Sequence, residues 1–215
     1  LRRAGLGAQE WLFPFPDYKL PVAVFSERGV RAEDGVDLGS LAAASVPADP
    51  QTPRSMSFSL EAAWRPVIRN GLGGELANSF LAIAAREAGE VVEREVLAWH
   101  FAVERDRRYA KRTVFRVRED GVWVEPQALR DGGLRPDEPP LAGREQLAMH
   151  LAPTRFQPGE LWHHALLSIL NEPGWTADQV ARWAARWLSC LEGLHPTVVG
   201  RPEGLDTVLP GWLLD

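Results

Sequence analysis

Between residues 95 and 125 apolar and polar side chains alternate with a period of two. That period constrains the fold more than any other feature, because only a β-strand turns every second side chain to one face. Leu97, Trp99, Phe101 and Val103 form one such series, and Thr113, Phe115 and Val117 form a second. Pairing Trp99 with Phe115 and Leu97 with Val117 places all of them on one buried face. Glu119-Asp120-Gly121 then fits a three-residue hairpin loop with glycine at the left-handed position, which brings Trp123 opposite Val117. The expected fold is α+β: a three-stranded antiparallel meander at about 95–125 packed on helices, with a helical C-terminal half.

The flanking patterns fill in the rest. Leu20-Pro21-Val22-Ala23-Val24-Phe25 reads as a short edge strand, since proline cannot donate to a ladder. A brief helix is predicted over Leu38–Ala44 with Asp37 as its N-cap, followed by a proline-rich loop over Val46–Ser55. After Gly71-Leu72-Gly73-Gly74, the spacing of Leu76, Phe80, Leu81, Ala84 and Ala85 predicts an amphipathic helix over Gly74–Ala88. Those glycines match neither GxGxxG nor a phosphate loop, and they read as a turn. Beyond a polar connection at 130–140, helices are predicted over Gly143–Leu151, Gly159–Leu170 and Ala177–Glu192. The last opens on a capping box, Thr176 with Gln179, and carries the stripe Val180, Trp183, Ala184, Trp187, Leu188 and Leu191. A short terminal piece at 205–214 is broken by Pro210. With 215 residues and 45% apolar content the chain supports one compact domain, with a Pro/Gly-rich arm (1–55), a helix plus meander (56–126) and a helical part (141–215).

Composition narrows the setting. A single cysteine, Cys190, excludes an internal disulfide and a thiolate metal cage and favours a reducing, cytoplasmic compartment. No window is apolar enough for a membrane span, and the first residues lack the apolar core of a signal peptide. Heavy use of Ala, Arg, Gly and Leu points to a GC-rich, bacterial genome. The nine tryptophans, spread from Trp11 to Trp212, are expected to act mostly as core anchors.

The sharpest local anomaly is the run 105–118. It holds seven basic residues and one acidic, a charge of +6 inside a chain whose net charge is −5. Arg112, Arg116 and Arg118 are expected to point away from the oily face, with Arg105, Arg107 and Arg108 crowding the hairpin tip beside Lys111. Guanidinium groups bind phosphate oxygens in bidentate fashion, and Tyr109 offers a stacking surface for a base. These eight residues are therefore the candidate nucleic-acid site, for DNA or RNA. The alternative is that the same arginines dock an acidic protein partner while exposed tryptophans anchor the interface.

Other constellations are weaker. Asn171-Glu172-Pro173-Gly174-Trp175 joins two helices in the manner of a helix-turn-helix, with Gln179, Arg182 and Arg186 on the open face of the second, although any helical hairpin has this spacing. Glu160 with His163 and Glu192 with His195 form two Glu-x-x-His pairs, the half-site of a carboxylate metal centre, and a metal-dependent enzyme is the third reading. The adjacent His163 and His164 diverge by about 100° on a helix, and HExxH, CxxC and GxSxG are absent. His100 is placed on the arginine side of its strand and Cys190 near a buried stripe. The expectation is a non-enzymatic binding protein with no metal and no cofactor.

Overall fold

The computed structural model divides the chain into two compact units, Leu1–Gly159 and Glu160–Asp215. It describes residues 6, 8–33, 36–46, 55, 58–86, 92–102, 110–129 and 151–199, with side chains described up to residue 192. No helix among them is long and apolar enough to cross a membrane.

The first unit is built on a seven-stranded sheet. Its strands are β1 (Ala8–Phe15), β2 (Ala23–Ser26), β3 (Leu81–Ala85), β4 (Val96–Ala102), β5 (Lys111–Arg118), β6 (Gly121–Ala128) and β7 (Thr154–Arg155), in the spatial order β3-β1-β2-β4-β5-β6-β7. Every neighbouring pair is antiparallel. Residues directly opposite across a ladder share a face, so the register defines an inner row of Phe13, Phe25, Ala98, Phe115 and Val124. A second inner row holds Phe15, Ala23, His100 and Thr113.

Four helices close this face: α1 (Glu27–Val30), α2 (Gly39–Ser45), α3 (Leu60–Arg69) and α4 (Gly73–Leu76). Val30, Leu38, Ala42, Val46, Trp64 and Ile68 join the phenylalanines in one buried cluster. Phe15 sits at its centre, edge-on to Phe25 at 5.1 Å and to Trp64 at 4.8 Å. The α1 helix starts the moment β2 ends: the Ser26 hydroxyl accepts from the Gly29 amide and donates to the Leu97 carbonyl at 3.1 Å, tying the helix to β4. Asp37 accepts from the Gly39 amide at 2.8 Å, just ahead of α2.

The second unit contains α5 (Trp162–Asn171) and α6 (Ala177–Val199). Its capping box forms, with the Thr176 amide donating to Gln179 Oε1 at 2.7 Å and the Gln179 amide to the Thr176 hydroxyl. Trp183 binds the two helices by donating its indole N–H to the Trp162 carbonyl, and it stacks on Trp187.

Several expectations are corrected. The three-stranded meander at 95–125 is only the β4-β5-β6 portion of a seven-stranded antiparallel sheet, although the class remains α+β. The β2 strand is central, because β4 pairs with it from across the chain, and its proline lies outside the ladder. Most of the helix predicted over 74–88 is replaced: after one turn of α4, residues 81–85 form β3, since pairing with β1 outweighs the helical spacing. The β1 strand and α3 were not foreseen, the first because Pro14 interrupts its pattern and the second because Pro66 lies inside it. The helix predicted over 143–151 and the terminal piece at 205–214 lie outside the described residues, Leu151 excepted, which is not helical.

The β4–β5 register also changes. Both Leu97 and Ala98 face Phe115, a β-bulge that places Val96 opposite Arg116 and Trp99 opposite Val114. Leu97 stays inside, but the extra residue reverses the phase of everything after it. Trp99 and Phe101 therefore lie on the outer face, and His100 lies on the inner one. The turn holds two residues, Glu119 and Asp120, between the paired Arg118 and Gly121, so Val117 meets Val122 and Trp123 meets Arg116.

The close approach of α1 to β4 gives a stringent test. A Cβ added at Gly29 would sit 2.1 Å from the Leu97 carbonyl oxygen, which belongs to a central strand and has no room to retreat. Gly29→Ala is expected to cost about 3 kcal/mol, at the upper end for overpacked cores. A thermal midpoint equal to that of the unaltered protein would show that α1 and β4 do not meet in this way.

Candidate functional site

Strand β5 reads Lys-Arg-Thr-Val-Phe-Arg-Val-Arg. With Phe115 and Thr113 on the inner face, alternation assigns Arg112, Val114, Arg116 and Arg118 to the outer one. Phe101, Trp99 and Val96 of β4 and Gln127, Glu125 and Trp123 of β6 stand beside them. Lys111 falls in the inner series. Arg105, Arg107, Arg108 and Tyr109 lie outside the described residues. Of the eight candidates, the structure thus brings three arginines together.

Those arginines are engaged by the chain's own acceptors. Arg112 donates through Nε to Gln127 Oε1 at 3.2 Å and through Nη2 to the same oxygen. Arg116 pairs with Glu93 through Nη1 and lies 3.4 Å from Glu125 through Nε. Arg118 Nη2 reaches Glu125 Oε1 at 2.5 Å, and its guanidinium carbon lies 4.8 Å from the centre of the Trp123 ring. Glu125 is thus shared by two guanidinium groups, and its side chain is only 14% exposed. The hydrogen bond that Arg116 donates to Glu93 is the main reason its pKa is raised above the usual arginine value, with burial opposing it.

A second small network lies at the turn. The Trp123 indole N–H donates to Asp120 Oδ1 at 2.8 Å, and Arg155 of β7 stands 3.9 Å from the other carboxylate oxygen. The indole hydrogen bond holds the Asp120 carboxyl below the ordinary aspartate pKa, with smaller help from its own backbone and from Arg155 and Arg118, against a desolvation effect of opposite sign. Gly121, at φ +129°, brings the backbone close beneath the Arg155 guanidinium.

Sequence reasoning found the arginines and missed their partners. Glu125 and Gln127 are separated from β5 by one two-residue turn, and the correct register would have revealed both. Glu93 precedes β4, and no spacing rule identifies it.

Gln179 is committed to the cap of α6 and is unavailable for reading a base edge, while Arg182 and Arg186 are exposed. Glu160 accepts from the Ser168 hydroxyl at 3.4 Å. The rings of His163 and His164 tilt together with centroids 4.0 Å apart, nearer than their helical divergence suggests. The side chain of His195 lies outside the described residues. Cys190 is exposed rather than near a buried stripe.

A groove of about 290 Å³ lies in the first unit, lined by Phe15, Val46, Trp64, Leu76 and Asn78 among others. Asn78, whose amide donates to the Pro16 carbonyl at 3.3 Å, is among its lining residues. None of the described residues that line it is a nucleophile, an acid or a base. No protein-family model, curated protein or solved structure matches the chain.

Two outcomes are expected from these networks. A double-mutant cycle between Glu125 and Arg116 should give a coupling of about 1 kcal/mol at low salt, falling as salt is added. Additivity would show that the shared carboxylate is decorative. Trp123→Phe should raise the Asp120 pKa toward that of an ordinary aspartate, read by carboxyl-resolved NMR titration. The contribution of Asp120 to stability is present above the unfolded aspartate pKa and is lost as pH falls through the lower folded value. That acid-side loss should move to higher pH in the variant.

Proposed function

We infer that this chain is a non-catalytic protein-interaction subunit, cytoplasmic in setting, whose outer β4-β5-β6 face docks an acidic protein partner. The observation that supports this reading most is the state of the arginines. Phosphate recognition draws on guanidinium groups whose N–H donors are free to turn to it. Arg116 and Arg118 already donate to Glu93 and Glu125. A phosphate at either would compete with a carboxylate already in place, as would an acidic group of a protein partner, so the docking contact falls on Arg112 and the aromatic side chains beside it. Among the described residues Arg112 donates to the neutral Gln127 and keeps its net charge, and the run 105–118 remains basic by sequence. Beside Arg112 and Arg116 stand the outer-face side chains of Trp99, Phe101 and Trp123, the last held by Asp120. Tryptophan and arginine held in defined positions are the residue types that dominate protein–protein hot spots.

The test separates the two ligand classes. Fluorescence anisotropy with labelled single- and double-stranded oligonucleotides at about 50 mM salt should give no saturable binding in the micromolar range, where a phosphate-directed binder already saturates. A partner retained by the unaltered protein should be lost on Trp123→Ala and on Arg112→Glu, and should stay bound when an unrelated nucleic-acid polymer is added. Saturable oligonucleotide binding that weakens with salt would overturn this reading in favour of DNA or RNA. Retention of the partner by both variants would remove the outer face from consideration.

A further inference from the structure

The two edges of the sheet are finished differently. On one side the edge is β7, two exposed residues that carry the charge of Arg155. Short length and charge are the usual means by which an edge is kept from pairing with another chain. On the other side the edge is β3, Leu-Ala-Ile-Ala-Ala. It runs five residues in unbroken register with β1, from Leu81 opposite Leu12 to Ala85 opposite Ala8. It contains no charge, no proline and no bulge, and no strand among the described residues pairs with its other side. Leu81 is 51% exposed and the preceding Phe80 is 65% exposed. Phe80 is nonetheless held in place, edge-on to Trp11 with ring centroids 5.3 Å apart. A strand edge of this kind offers a row of backbone donors and acceptors to an incoming strand.

We propose that the β3 edge is a homodimerisation site at which two copies of this chain pair antiparallel about a two-fold axis at Ile83. This surface is separate from the arginine face. The sequence of the strand suits self-pairing in that register. Ile83 meets Ile83 of the second copy, Ala82 meets Ala84, and Leu81 meets Ala85, so each larger side chain other than Ile83 faces a small one. No charge opposes itself, which a symmetric pairing would penalise in any charged edge. One residue further out at each end, exposed Arg86 stands opposite Phe80 of the second copy, a cation and an aromatic ring in complementary positions. The pairing is isologous and closed, so it ends at two copies and does not propagate into fibres. It joins two seven-stranded sheets into one.

Sedimentation equilibrium on the full chain across a concentration series should show a reversible monomer–dimer equilibrium. Ile83→Lys and Ile83→Glu should each hold the weight-average mass at the monomer value, half that of the dimer, with unchanged far-ultraviolet circular dichroism. Mixing the two variants should restore the dimer, because only a register centred on residue 83 places lysine opposite glutamate. Residue-centred antiparallel pairs have Cα separations of about 4.5–5.5 Å, within disulfide reach. Ile83→Cys combined with Cys190→Ser should therefore oxidise to a covalent dimer, a readout that introduces no charge into the strand. A monomer at every concentration, a dimer indifferent to both charge variants, or a mixture that stays monomeric each overturns the proposal. So does failure of the Ile83→Cys protein to cross-link.

Discussion

Two residues of β4, Leu97 and Ala98, face one residue of β5, Phe115, and the rest of the sheet follows from that mismatch. Before the bulge, Val96 lies on the outer face. After it, Trp99 and Phe101 do, and the inner positions pass to Ala98 and His100. Ala98, small and fully buried, stands between Phe25 and Phe115 in the inner row. The Leu97 carbonyl, meanwhile, accepts from Ser26 and leaves room for no side chain at residue 29. One inserted residue thus sets the sheet face, the docking of α1 and the composition of the arginine surface.

How far the fold was legible depends on this point. Thr113, Phe115 and Val117 alternate without interruption, and their strand could be read directly. Leu97, Trp99, Phe101 and Val103 also alternate, but a period-two pattern carries no mark of a bulge, since the extra residue changes only which face a side chain ends on. Residues 81–85 illustrate a different failure. Alanine-rich, with apolar residues at helical intervals, they carry a local preference for helix, and only the distant β1 makes them a strand. Trp64 and Ile68, buried on α3, were hidden because a proline inside the segment argued against a helix that forms around it. The α6 cap, by contrast, depends on residues three apart, and local chemistry suffices to read it.

The arginine surface shows the same division. Composition revealed the excess of positive charge between 105 and 118, and the faces of β5 were read correctly for Arg112, Arg116 and Arg118. Charge counting gave no warning that Glu125 would sit between two of these guanidinium groups or that Glu93 would reach the same place from outside the hairpin. A cluster counted along the chain overstates the field at the surface whenever cross-strand neighbours are acidic. Desolvation sharpens the effect here, because the shared carboxylate is largely shielded and its pairing is less screened than that of a fully exposed bridge.

The strand order carries a consequence for biosynthesis. Neither β1 nor β2 finds its second neighbour nearby: β3 returns to β1 after about seventy residues, and β4 reaches β2 after a similar interval. A nascent chain that has emerged only as far as α3 can form at most an isolated two-stranded hairpin and loose helices, none of which is stable alone. The apolar rows of Phe13, Phe15 and Phe25 therefore stay uncovered on the nascent chain until α3 and β3 have emerged. Premature termination or pausing ahead of β3 would release a fragment with oily strands and only a two-stranded hairpin to hold them, a substrate for chaperones and proteases rather than a smaller version of the protein.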